Sequence, residues 1–150
     1  MAMKEKKVKL GYIHMSDYTS KSRLFSDWMF ENPEYKKEVN LNPKEVILPA
    51  NGEYTLIIDY PLHNAFKKTF TAGKNGMTRR QFVDLIVKSY KKIYATEDSD
   101  VGDETGNIQG MLNRETSEGR YGIWGHNLGD LILHTAYIQK NNTIEIGVDS

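Results

Sequence analysis

The feature that most constrains this chain is the run from Thr78 to about Thr96. Phe82, Leu85, Ile86, Ser89 and Ile93 fall on one stripe at helical spacing, and Val83, Val87, Tyr90 and Tyr94 widen it. Thr78 stands where an N-cap is needed, so the spacing predicts an amphipathic helix from Arg79 to about Thr96. Its other face carries Arg80, Asp84, Lys88, Lys91 and Lys92, a basic edge read as a solvated face in preference to an anion site. A helix with so wide an apolar stripe has to bury it against another layer.

The flanking segments supply that layer. Tyr54, Leu56, Ile58 and Tyr60 alternate with polar or outward positions, which predicts a strand. Pro61-Leu62-His63-Asn64 turns the chain, and Ala65 to Thr71 returns with Phe66 and Phe70 on one face, completing an antiparallel hairpin. His63 and Asn64 are read as turn residues, and Asn75-Gly76 closes the loop before the helix. Beyond the helix, Leu131 to Ile138 is apolar on both faces, a buried strand or a turn of helix with an extended tail. Lys140-Asn141-Asn142 is a turn signal, and Ile144, Ile146 and Val148 alternate in a final strand. The expected fold is therefore α+β: a β-grasp-like mixed sheet crossed by one long amphipathic helix.

Residues 1–52 are expected as an N-terminal extension and arm, and residues 53–150 as the β-grasp-like domain. Val8 to His14 alternates as a short strand that Gly11 weakens, and Ser20 or Ser22 is a candidate cap for a short helix over residues 23–30 with Leu24, Phe25, Trp28 and Met29 on one side. Val46-Ile47-Leu48 reads as an edge strand in a proline-rich connection. Residues 97–118 lose periodicity and open with Glu97, Asp98, Asp100, Asp103 and Glu104, which predicts an exposed loop. A calcium loop starting at Asp98 would need glycine at position six and glutamate at position twelve; the chain has Asp103 and Gln109, so the pattern fails.

Composition narrows the function. Lysine plus arginine and aspartate plus glutamate number 20 each, so no global charge draws the chain to nucleic acid or an anionic membrane. The absence of cysteine excludes disulfides, a thiol nucleophile and thiolate zinc, and fits a cytoplasmic setting. No apolar run reaches the roughly 18 residues of a membrane span, and no cofactor motif is present; Gly73 to Thr78 lacks the phosphate-loop spacing.

The densest candidate surface is Gly119 to Asp130, with four glycines, Tyr121, Trp124, His126 and a carboxylate in twelve positions. A short strand is expected over Arg120 to Trp124, followed by a tight turn at residues 125–129. Arg120, Tyr121, Ile123, Trp124, His126 and Asp130 are the candidate binding residues. Three readings stay open: glycines making a turn while Trp124 fills the core and His126 meets a loop carbonyl; a protein-binding surface; or an active site in which Asp130 orients His126. The last lacks a nucleophile motif, and His126 and His134 miss the helical metal spacing.

Residues 54–148 resemble ubiquitin-like β-grasp domains. Tyr137-Ile138-Gln139-Lys140 followed by Thr143-Ile144-Glu145-Ile146 looks like that family's Tyr-x-Ile-Gln-Lys stretch and last strand, one spacer shorter. Ile123-Trp124-Gly125-His126-Asn127-Leu128 looks like its middle strand and glycine turn. The resemblance implies a protein-interaction module that binds an unidentified protein partner through a sheet face or edge around Ile123 and Trp124. The ending Gly147-Val148-Asp149-Ser150 lacks a terminal glycine pair, so a conjugated modifier is not expected, and of the family's docking patch only Ile123 persists, beside Glu145 and Gly147. Tyr121 to His126, with Thr78-Arg79 and Asp149-Ser150, also resembles the Tyr-Gly-Ile-Trp-Gly-His signature of an uncharacterised domain family, which implies no activity. The alternative function is a small-molecule or nucleotide-processing enzyme with a pocket around Arg120, His126 and Asp130.

Overall fold

The computed structural model describes residues 5–25, 41–101 and 119–150. Among these residues, seven strands and one long helix follow in the order β1 (Lys6–His14), β2 (Val46–Leu48), β3 (Glu53–Ile58), β4 (Phe66–Thr71), β5 (Met77–Thr78), α1 (Arg79–Val101), β6 (Ile132–Ile138) and β7 (Thr143–Asp149), with a 3-10 turn at Leu128–Asp130 before β6. Five strands form one mixed sheet in the order β1-β6-β7-β3-β4, and β2 pairs with β5 in a separate ladder. The pairings are antiparallel except for β3 and β7, which run parallel with Leu56 opposite Ile144. A hairpin, a crossing helix, and a last strand that returns between the first hairpin and the preceding strand give the β-grasp-like arrangement.

Alternation explains which face of the sheet is buried. Tyr54, Leu56 and Ile58 on β3, Ala136 and Ile138 on β6, and Ile144 on β7 are fully or almost fully buried, and the helix answers with Phe82, Ile86, Tyr90 and Ile93. The Phe70 and Phe82 rings meet across this layer at 6.4 Å between centroids. The helix starts with a reciprocal cap: Gln81 donates its backbone N–H to Thr78 Oγ1 at 3.2 Å, and the Thr78 N–H donates to Gln81 Oε1 at 2.9 Å.

Several local expectations change. The helix does not stop near Thr96 but runs to Val101, so the expected loop over residues 97–118 loses its first turn to α1, and its remainder from residue 102 lies outside the described residues. Residues 23–25 are not helical; Leu24 is buried and Phe25 O accepts the Tyr12 N–H at 2.8 Å, so this segment lies extended beside β1. Residues 26–30 of that expected helix lie outside the described residues. Val46–Leu48 is a strand, but its partner is Met77–Thr78 and not the main sheet. β1 is one edge of the five-stranded sheet, bulged between Lys9 and Ile13, and places Val8, Leu10 and Ile13 in the same core as the helix.

Candidate functional site

The stretch from Gly119 to Asp130 is fixed to the body of the protein at three places. The first is Glu97, on the part of α1 that extends past Thr96. It is 2% exposed, and its carboxylate accepts backbone N–H groups from Gly119 (3.0 Å), Tyr121 (3.0 Å) and Gly122 (3.1 Å). A buried carboxylate needs such donors, and three converging amides supply them. Gly119 is required here by space, since a Cβ on it would collide with the Glu97 carboxylate. One turn further along the helix, the exposed Arg120 guanidinium grips Asp100 through Nε (2.8 Å) and Nη2 (3.0 Å), and the Arg120 backbone N–H adds a third bond at 3.1 Å.

The second attachment is the β3–β4 connection. His63 donates its backbone N–H to the Tyr121 and Gly122 carbonyls at 3.0 and 3.1 Å, the Asn64 N–H reaches Tyr121 O at 3.0 Å, and Asn64 Nδ2 reaches Arg120 O at 3.0 Å. Trp124 returns its N–H to Pro61 O at 3.0 Å, and Leu62 and Ile123 form an isolated antiparallel bridge. Isolated bridge residues at Ile123 and Trp124 stand where a continuous strand over Arg120 to Trp124 was expected. Gly122 (φ +64°) and Gly125 (φ +70°) sit in left-handed conformations that interrupt an extended ladder. The strand that follows α1 into the sheet is Ile132–Ile138 instead, between β1 and β7.

The third attachment is Tyr94, whose hydroxyl donates to His126 O at 3.0 Å, while Tyr90 donates to Tyr60 O at 2.8 Å. Burial raises the pKa of both phenols well above the ordinary value, so both remain protonated donors.

These attachments assemble a three-ring cluster. Tyr60 meets Trp124 edge-on at 5.3 Å, and His126 lies 5.8 Å from Tyr60 and 5.9 Å from Trp124. The phenol, indole and imidazole rings therefore pack on one another in a partly buried aromatic cluster. Ser150 sits at its edge, its Oγ 2.6 Å from the Tyr60 hydroxyl and 3.4 Å from His126 Nε2.

The sequence-derived residues divide accordingly. Trp124 and His126 are brought together. Trp124 packs on Tyr60 and is only partly buried, so it does not plug the core, and His126 offers its own carbonyl to Tyr94 instead of meeting another with its ring. Tyr121 is partly buried beside Phe66 at 6.2 Å. Asp130 stands 4.0 Å from His126 Nδ1 and accepts the Asn127 N–H at 3.0 Å, closing the turn before β6. Arg120 is engaged by Asp100 on the helix, away from the pairing with His126 and Asp130 that an active site there would use. Tyr60, Tyr94, Ser150 and Glu97 were missed. The signal for the tyrosines was available in part, because a phenol on a buried stripe has to find an acceptor.

Among the described residues no group of three or more histidine, aspartate or glutamate side chains is placed to hold a metal ion, and no helix is long and apolar enough to cross a membrane. No family model, curated protein or solved structure matches the chain.

Proposed function

We propose that this chain is a non-catalytic protein-interaction module of ubiquitin-like type whose recognition patch is the Tyr60–Trp124–His126 cluster. The observation that carries the reading is the way the cluster is built: three touching aromatic rings, each partly exposed, on backbone fixed by the Tyr90 and Tyr94 hydroxyls and by Trp124 N–H to Pro61 O. Tyrosine and tryptophan anchors held rigid before binding lose little entropy on association, which is what makes such residues dominate protein interfaces. The partner is a protein, met by a surface that is apolar at its centre and polar at its rim through Ser150, Asn127 and Asp130. The cysteine-free composition fits a cytoplasmic setting.

An enzymatic reading has one observation in its favour, the Tyr60–Ser150–His126 chain of hydroxyls and imidazole. It is the weaker one, since Asp130 is beyond hydrogen-bond distance of His126 Nδ1 and Arg120 is committed to Asp100. The test is affinity capture from native lysate with the wild type beside a Trp124→Ala/His126→Ala variant whose fold is verified by circular dichroism. The proposal expects at least one protein retained by the wild type and lost by the folded variant; identical captured sets would overturn it.

A further inference from the structure

Toward the N-terminal half of α1, a groove of about 400 Å³ lies between the helix and the turn after β1, lined by Tyr18, Thr19, Ser20, Asp84, Val87, Lys88 and Lys91. Its charge is not what the sequence of the helix face suggests. Asp84 is occupied as the acceptor of the Tyr18 hydroxyl, and that hydroxyl in turn accepts from Arg80 Nη1 at 3.0 Å. Arg80 also donates through Nη2 to Ser22 O and stacks its guanidinium 5.7 Å from the Tyr18 ring centroid. The basic edge is therefore only partly solvated: Arg80 and Asp84 neutralise each other through Tyr18 and tie the turn to the helix. Burial and the adjacent Asp84 push the Tyr18 phenol up to about 12, so it stays a neutral donor.

With that pair closed, the charges that the described residues leave facing the groove are the exposed ammonium groups of Lys88 and Lys91, three residues apart on one side of α1. Thr19 and Ser20 add hydroxyls on the opposite wall, and the Tyr18 ring and Val87 give an apolar floor. We propose that this groove is a binding site for a phosphate monoester, with the phosphate between Lys88, Lys91 and Ser20 and the organic part on Tyr18 and Val87. Two cations and hydroxyl donors around an apolar floor match a dianion attached to a hydrophobic body, and the volume suits a small molecule. This site is separate from the aromatic patch and does not depend on it.

The test is a titration of the uniformly ¹⁵N-labelled full chain with phenyl phosphate and, separately, with inorganic phosphate, followed by amide shifts. The proposal expects saturable shifts centred on Thr19, Ser20, Lys88 and Lys91, with phenyl phosphate about fivefold tighter than inorganic phosphate through the buried ring. Lys88→Ala/Lys91→Ala should weaken phenyl phosphate by about tenfold or more, while Lys67→Ala/Lys68→Ala on β4, which removes equal charge elsewhere, should leave it unchanged. Shifts that do not saturate or are scattered over the surface, or equal weakening in the two double variants, would show adventitious ion binding only and overturn the proposal. Inorganic phosphate binding as tightly as phenyl phosphate would overturn the assignment of Tyr18 and Val87 as the floor.

Discussion

The Glu97 carboxylate accepts the backbone N–H of Tyr121 at 3.0 Å, across 24 residues of chain, and through Gly119 and Gly122 it gathers two more amides of the same stretch. The last turns of the helix thereby set the position of Gly119 to Gly122. Removing the carboxylate leaves three donors to find other partners in a site with little access to water, each costing about 1–3 kcal/mol if it fails. Glu97→Ala should therefore destabilise the fold by about 3 kcal/mol or more, and Glu97→Gln, which keeps the shape and one acceptor, by less. Urea unfolding of the two variants checks this; a midpoint unchanged in Glu97→Ala would mean the clamp carries no weight.

Two glycines of the same stretch separate space from backbone conformation. A Cβ on Gly119 collides with the Glu97 carboxylate, whereas one on Gly125 meets nothing within 4 Å and suffers only from φ +70°. Gly125→Ala should cost about 1–2 kcal/mol, the ordinary penalty of a left-handed non-glycine residue. Gly119→Ala should cost more, and its effect should largely vanish in a Glu97→Ala background, which thermal unfolding of the double-mutant cycle would reveal.

Acid should loosen the outer half of the clamp. Hydrogen bonds from the Arg120 guanidinium and backbone hold the Asp100 carboxyl below its ordinary value of 3.8. A value depressed in the folded state means that the contact adds stability above the ordinary carboxylate value and loses it as pH falls through the depressed one. The stability difference between wild type and Asp100→Asn should be constant from neutral pH to about pH 5 and shrink below about pH 4. Urea midpoints across that range measure it, and a difference that grew on acidification would contradict the assignment. The pair is solvent-exposed, so its effect should also fall with added salt.

Tyr94→Phe removes one hydrogen bond, from the phenol to His126 O, and no packing volume. A net loss of about 1 kcal/mol is expected, concentrated in residues 124–130, and faster amide exchange there with unchanged exchange in β3 would report it. Uniform acceleration over the whole sheet would show that Tyr94 serves the core alone.

Most of the architecture could be read from local pattern. The helix stripe from Phe82 to Ile93 and the Tyr54–Ile58 alternation are properties of neighbouring residues, and both appear where the spacing puts them. The parallel pairing of β3 with β7 involves residues almost ninety positions apart, and only the order of elements hinted at it. Glu97 was misread for a definite reason. A glutamate at the head of an acidic run looks solvated, and the amides that justify its burial belong to Gly119, Tyr121 and Gly122, more than twenty residues later. The candidate site was legible as a cluster of residue types, Trp124 and His126 above all. Its third ring, Tyr60, was absorbed into the β3 alternation because nothing local marks the fold that brings residue 60 beside residue 124. Arg120 showed the reverse error: a cation near a histidine in sequence is turned away from it by an acid one helix end supplies.

The most direct test of the recognition patch is site-specific photo-crosslinking in cells that express the chain. A photoreactive phenylalanine analogue replaces Asn127, which is exposed and next to His126, or, for comparison, Thr69 on the exposed β4 strand. The account predicts a discrete heavier adduct with a protein from position 127, absent from position 69 and lost when Trp124→Ala is added to the folded chain. No adduct at 127, or the same adduct from both positions, would contradict it.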